Sequence, residues 1–246
     1  MRVWDVYPAI DLRRGQVVRL KQGDPDRATT YETDPLIAAE RWQDAGARWI
    51  HVVNLDGALD ERSAENQRAL ERIVTTGLQI QFGGGIRDRA TLDHALSLGV
   101  TRVVIGTAAV EDPTLVLDGL QAYGRDCIAV GIDARDGRVR THGWSTGTGL
   151  TAIEFASRWA ADGLRWTIFT DVARDGMGSG LNVEATAALA RASGLHVIAS
   201  GGVDSLDDVR RTYDAGLSGV IIGRALYEGE VSLEDTLRIG ENQNAG

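Results

Sequence analysis

Three scarcities bound what this chain can be. Cys127 is the single cysteine in 246 residues, so no internal disulfide can form and a reducing compartment suits the protein. Its setting before Ile128-Ala129-Val130 marks it as a small buried hydrophobe rather than a nucleophile. No apolar run approaches the ~20 residues needed to span a bilayer, and residues 1–11 hold no apolar segment of signal-peptide type. Positive charge is also short. Lys and Arg number 26 against 35 Asp and Glu, for a formal net charge of −9. With no basic stripe to compensate, nucleic acid is not an expected partner. An anionic small molecule would have to be held against the long-range field by local donors, namely helix N-termini and a few arginines. His51, His94, His142 and His196 show no metal-ligand spacing. His51 and His196 lie in strand-like runs and read as packing residues.

Glycine is abundant, with thirty residues that gather at the ends of apolar runs rather than in a low-complexity tract. Phe82-Gly83-Gly84-Gly85-Ile86-Arg87 follows the run 78–82 and precedes a helical pattern. Ser200-Gly201-Gly202-Val203-Asp204 does the same after 196–199. Gly85 and Gly202 are 117 positions apart, as are Gly106 and Gly223, Leu92 and Val209, and Gly99 and Gly216. A strand that runs into consecutive glycines and then a helix leaves backbone N–H groups free to point at an anion. Two such sites at one spacing describe a duplicated half.

Between these glycines, apolar strand-length runs alternate with amphipathic stretches eight times. The strands are expected at 3–10, 49–53, 79–82, 102–105, 128–132, 166–169, 196–199 and 219–222, as continuous β-branched runs buried on both faces of a parallel sheet. Helices fit at 35–45, 64–75, 90–98, 113–123, 152–161, 183–192 and 206–215, with a short one after Arg224 and another at 233–239. Asp112-Pro113 places an N-cap before a proline at the first helical position, and Ser205 with Asp208 resembles a capping box. Gly46, Gly99, Gly124, Gly163, Gly194 and Gly216 stand where left-handed C-caps belong. This pattern argues for an α/β protein of the (β/α)8 TIM-barrel class. It is expected as one domain, residues 1–246, built from half-barrels of approximately 1–124 and 125–246.

In such a barrel chemistry sits at the carboxyl ends of the strands. Strand one ends in Pro8-Ala9-Ile10-Asp11 and strand five in Gly131-Ile132-Asp133. Asp11 and Asp133 are 122 positions apart, and Gly15 and Gly137 of the following turns share that spacing. They read as duplicate carboxylates facing each other across the barrel mouth. Asp175, beyond strand six, is a third candidate, whereas Asp171 reads as a turn-stabilising side chain. A carboxylate at the end of an apolar strand costs several kcal/mol if buried unpaired, so a general acid and base around a small substrate account for it better than packing does. The glycine sites fall on strands three and four and on strands seven and eight. They suit an elongated ligand with a phosphate at each end and carboxylates over its middle.

Further motifs join these: Val18-Arg19-Leu20-Lys21-Gln22-Gly23-Asp24, Gly143-Trp144 and Thr170-Asp171-x-x-Arg174-Asp175-Gly176. With Pro8-Ala9-Ile10-Asp11-Leu12, Gly83-Gly84-Gly85-Ile86-Arg87 and Ala199-Ser200-Gly201-Gly202-Val203, the chain resembles, end to end, the phosphoribosylformimino-aminoimidazole carboxamide ribonucleotide (ProFAR) isomerases of histidine biosynthesis. The resemblance implies a usually monomeric, cytoplasmic barrel without metal or cofactor that performs an Amadori rearrangement of a bisphosphorylated aminoaldose to an aminoketose. It implies Asp11 as general base and Asp133 or Asp175 as general acid. Arg19, Trp144 and Thr170 become substrate-binding residues, Trp144 stacking on the aminoimidazole ring. Gly84, Gly85, Gly106 and Thr107 would hold one phosphate, and Gly201, Gly202, Gly223 and Arg224 the other. Asn54 stands where that family usually has aspartate, which touches local hydrogen bonding rather than the reaction. Two related families differ from this sequence at named positions. A dual-substrate relative that also takes phosphoribosyl anthranilate tends to have serine where Gly83 stands. The related cyclase barrel, a lyase, differs at Ala9-Ile10.

Overall fold

The computed structural model describes residues 3–21, 24–61, 64–175, 177 and 180–242. Gln22, Gly23 and Gly176, which complete two of the motifs quoted above, lie outside the described residues. The barrel strands are Asp5–Arg13, Trp49–Asn54, Gln79–Gly83, Arg102–Ile105, Ile128–Arg135, Trp166–Asp171, His196–Ser200 and Gly219–Ile222. Each pairs in parallel with the next, and the eighth returns to the first through Asp5↔Gly219 to Pro8↔Ile222. The ring is closed, so no barrel edge is left unpaired.

Successive side chains on a strand point to opposite faces. In strand one Val6, Ile10 and Leu12 join the shell under the helices, whereas Tyr7 and Ala9 join a smaller cluster inside the barrel. That inner cluster also takes Trp49, Val104, Ala129, Trp166, Ile168, Ile198 and Ile221. The same alternation aims Asp11 and Asp133 inward at the strand ends. The helices start on local caps, as the sequence implies: Asp112 accepts from Thr114 N at 3.2 Å and Ser205 from Asp208 N at 3.3 Å. The Asp208 carboxylate, however, accepts from Asp204 N at 3.2 Å rather than closing a capping box. The expected C-cap glycines all have positive φ. Gly194 is left-handed at φ 72 and ψ 7, but Gly124, at φ 82 and ψ 164, lies outside the left-handed helical region. Cys127 is half-buried rather than buried, because it precedes its strand instead of lying within it.

After strands one and five, the stretches 12–33 and 134–151 lead from the barrel to the next helix. Both stretches are antiparallel hairpins. Strand one continues through Asp11 to Arg13, turns, and pairs with Gln16–Lys21, which pairs with Asp24–Glu32. Strand five continues through Asp133 to Arg135 and pairs with Arg138–Thr141, which pairs with Thr146–Thr151. Each turn has two central residues at positive φ: Arg14 (47) with Gly15 (77), and Asp136 (53) with Gly137 (73). That is the backbone of a type I′ hairpin turn, for which Asp-Gly is a strong signal. The two duplicate aspartates therefore sit where a barrel strand becomes a hairpin.

Candidate active site

The fourteen residues singled out from sequence all line one cavity of about 260 Å³ at the carboxyl ends of the strands. Its walls repeat about the barrel. Gly84 and Gly85 have φ of 93 and 82, and Gly201 and Gly202 have φ of 87 and 100. A Cβ on Gly84 would stand 2.2 Å from Asn54 O, and one on Gly202 would stand 2.8 Å from Gly180 O. Both turns thus need glycine for space as well as for conformation. Beside each turn a short helix begins, Thr107–Glu111 and Arg224–Tyr227. Their N-caps, Gly106 (φ −97, ψ −100) and Gly223 (φ −104, ψ −102), share one unusual conformation and no side chain caps either helix. The first-turn N–H groups therefore lack a side-chain acceptor. The helix at Thr107 is absent from the sequence reading, although its counterpart after Arg224 is present there and the 117-residue offset would have located it.

The carboxylates come from strands one and five and from the turn after strand six. Asp171 caps that turn, accepting from Ala173 N at 3.1 Å and from Asn182 Nδ2 at 2.7 Å, and Asp175 N donates to Asp171 O at 3.1 Å. Arg19, on the first hairpin, reaches across the cavity. Its Nη1 lies 3.1 Å from Asp11 Oδ2 and its Nη2 2.5 Å from Asp175 Oδ2. Burial opposes the charge on Arg19, but Asp175 and Asp11 outweigh it and raise its pKa. Burial likewise raises the Asp11 carboxyl, Arg19 opposing the shift and the Asp175 charge adding to it. Asp133 is raised by burial too, while donations from Trp144 and Thr170 pull it back and the Asp175 charge pushes it up.

A family model described as "Histidine biosynthesis protein" matches residues 5–232. The chain belongs to that histidine biosynthesis family. Curated members include proteins named 1-(5-phosphoribosyl)-5-((5-phosphoribosylamino)methylideneamino) imidazole-4-carboxamide isomerase from three organisms. The Granulibacter bethesdensis protein is 51% identical over 92% of this chain and 93% of its own length. The Rhizorhabdus wittichii protein is 51% identical over 95% and 97%. The Symbiobacterium thermophilum protein is 47% identical over 98% of each chain.

Within this family member, both hairpins are anchored to the cavity wall. Arg14 N donates to Asp56 Oδ2 at 2.9 Å and Gly15 N to Asn66 Oδ1 at 2.8 Å. Asn66 Nδ2 in turn donates to Leu12 O at 3.0 Å, Asp56 Oδ2 at 2.9 Å and Asn54 Oδ1 at 2.8 Å. Asn54 also accepts from Gly57 N at 3.1 Å and caps the short helix Leu55–Ala58. The departure from aspartate there therefore falls on a helix cap. The second hairpin rests on Thr107, whose hydroxyl accepts from His142 N at 3.0 Å, and His142 Nε2 lies 3.2 Å from Glu111 Oε1. Trp144 Nε1 donates to Asp133 Oδ2 at 2.9 Å.

Two features escape the sequence reading. The Arg224 guanidinium, on a residue that lines the cavity, pairs with Glu228 and, at 2.7 Å, with Glu230. His51 faces the cavity from strand two; inward alternation with Val53 could have found it. Among the described residues no group of three or more His, Cys, Asp or Glu is arranged to hold a metal ion, and no helix is long and apolar enough to cross a membrane.

Proposed function

We propose that this chain is an aldose–ketose isomerase that converts ProFAR to its aminoketose in histidine biosynthesis. The observation that carries the reading is the pair of matching glycine turns on opposite sides of one cavity, with three carboxylates in it. Gly84, Gly85, Gly106 and Thr107 take one phosphate. Gly201, Gly202, Gly223 and the backbone of Arg224 take the other. Close relatives that bear this activity in their names support the substrate. Those names carry a single reaction, so the dual-substrate alternative gains no support.

The ring oxygen of the aminoaldose takes a proton from Asp175 or Asp133 as the C1–O bond breaks, and the amino nitrogen closes a C1=N Schiff base. Asp11 removes the C2 proton; the electron pair of that bond forms C1=C2 while the C1=N π pair returns to nitrogen, giving the enolamine. C1 then gains a proton and the C2 hydroxyl loses one, giving the ketose with no net change in atoms. Trp144 stacks on the imidazole ring while Arg19 and Thr170 hold the sugar. Each proton transfer by a placed carboxylate contributes ~10²–10⁴-fold, and the upward shift that burial gives Asp133 suits an acid working near neutral pH. Arg19 must leave Asp11 for that carboxylate to act, so substrate entry and base release are one event.

The protein reads as a cytoplasmic monomer, one domain in two half-barrels, with no nucleic-acid partner. Turnover of ProFAR but not of phosphoribosyl anthranilate, together with a crystal soaked in phosphate, tests the assignment. Two phosphates at the two glycine turns support it; anions elsewhere, or no turnover, overturn it.

A further inference from the structure

Below the cavity floor a buried arginine has no ion pair with a carboxylate among the described residues. Arg102 opens strand four and is 3% exposed. Its guanidinium carbon lies 3.8 Å from the Trp166 ring centroid and 4.7 Å from that of Trp49. Its Nε donates to Asp126 O at 3.2 Å and its Nη1 to Gln81 Oε1 at 3.1 Å. Gln81, fully buried on strand three, places Nε2 3.0 Å from His51 Nδ1. The barrel register sets these neighbours side by side, with His51↔Gln81 and Gln81↔Arg102.

The hydrogen-bond chemistry of this row has one solution. A guanidinium only donates, so the Gln81 carbonyl must face Arg102. The Gln81 amide N–H₂ then faces His51, and the ring nitrogen it meets must accept. Burial pushes the His51 imidazole down to about 4, so the ring is neutral and its single proton resides on the other nitrogen, Nε2.

We propose that Arg102 and Gln81 are positioning residues that lock His51 as the Nε2–H tautomer, a neutral donor aimed from the cavity floor at an oxygen of the bound sugar. This rests on the reading of the cavity as a bisphosphate isomerase site. The row explains why a polar column replaces apolar packing at this level of the barrel interior. The charged groups sharing the cavity with His51 are Asp11, Arg19, Arg87, Asp133, Asp175 and Arg224, and Arg102 lies beyond Gln81.

Gln81→Glu is the discriminating variant, since it keeps a partner for Arg102 but turns the donor toward His51 into an acceptor. Neutral His51 must then carry its proton on Nδ1, and Nε2 becomes an acceptor. Only the imidazolium, formed at lower pH, still offers Nε2–H. Between pH 5 and 8 the kcat/KM of the variant should therefore fall as pH rises. The loss should reach ~10–100-fold, as loss of an imidazole's orienting partner gives at metal sites. The unmutated protein should show no such step from His51 in that range. A flat ratio of variant to parent across that range overturns the proposal. The ¹⁵N-histidine NMR spectrum of the unmutated protein, with the His51 signal assigned by its loss in His51→Gln, decides the tautomer even if the glutamate variant does not fold. An Nε2–H pattern supports the proposal and an Nδ1–H or doubly protonated ring overturns it. Because this spectrum needs no substrate, failure of the tautomer and failure of the isomerase reading are told apart.

Discussion

Trp144 Nε1 donates to Asp133 Oδ2 at 2.9 Å, so the hairpin that carries the tryptophan is fastened to the carboxylate at its own root. His142, Gly143 and Trp144 all have positive φ, at 52, 57 and 73, and Arg140 clasps the Trp144 carbonyl from Nε at 3.1 Å and Nη2 at 2.9 Å. This turn places an aromatic face beside one of the two candidate acids. Replacing Trp144 by Phe keeps the ring and removes the donation. The Asp133 carboxyl should then be raised further, since that hydrogen bond is the larger of the two, with Thr170, that hold it down. If Asp133 is the acid, the alkaline limb of the kcat profile shifts to higher pH in Trp144→Phe; an unmoved limb assigns the proton to Asp175.

Asp11→Asn should lower kcat by ~10²–10⁴-fold, the worth of a general base. Binding of the aminoketose product, measured by calorimetry, should stay within a few-fold of the parent, because Arg19 keeps Asp175 as a partner. Turnover that survives the change removes Asp11 from the mechanism.

The raised Asp133 has a stability signature of opposite sign to an ordinary paired carboxylate. Its folded pKa lies above the unfolded one, so the folded state loses stability as pH rises through that interval. Asp133→Asn should melt higher than the parent at pH 7–8, with the gain vanishing in acid. Each kcal/mol gained reads as about 2–4 °C for a chain of this size. Thermal unfolding at pH 4 and pH 8 checks both the sign and the window.

Gly84→Ala and Gly137→Ala separate crowding from conformation. Both glycines have positive φ, at 93 and 73, but a Cβ at Gly84 meets Asn54 O at 2.2 Å while one at Gly137 meets nothing within 4 Å. Gly137→Ala should cost ~1 kcal/mol of stability, the penalty of a left-handed alanine. Gly84→Ala should cost ~3 kcal/mol or more, since the turn must shift as well, and should raise KM by moving N–H groups off the phosphate. Equal losses of stability would show that backbone conformation alone matters at Gly84.

Much of this protein is legible in its order of residues, for reasons that are local. Period-two alternation puts Asp11 and Asp133 on the inner face whatever the helices outside do. Gly84-Gly85 and Gly201-Gly202 announce backbone that other residues rarely adopt, and a shared offset reveals the duplication without coordinates. The hairpins after strands one and five are equally local, since Asp136-Gly137 signals a two-residue turn.

What the order of residues leaves undetermined is pairing across distance. Arg19 lies 156 positions from Asp175, and only closure of the ring brings strand six round to the first hairpin. Arg224 carries the right charge for a phosphate, yet Glu228 and Glu230 hold its side chain. Gln81, unremarkable in a strand, gains its orientation from the one neighbour that cannot accept a hydrogen bond. Residue type and period decide which face a side chain takes, but its partner is decided by strand register and by burial. In the buried interior, every donor must find whichever acceptor the fold has brought within reach.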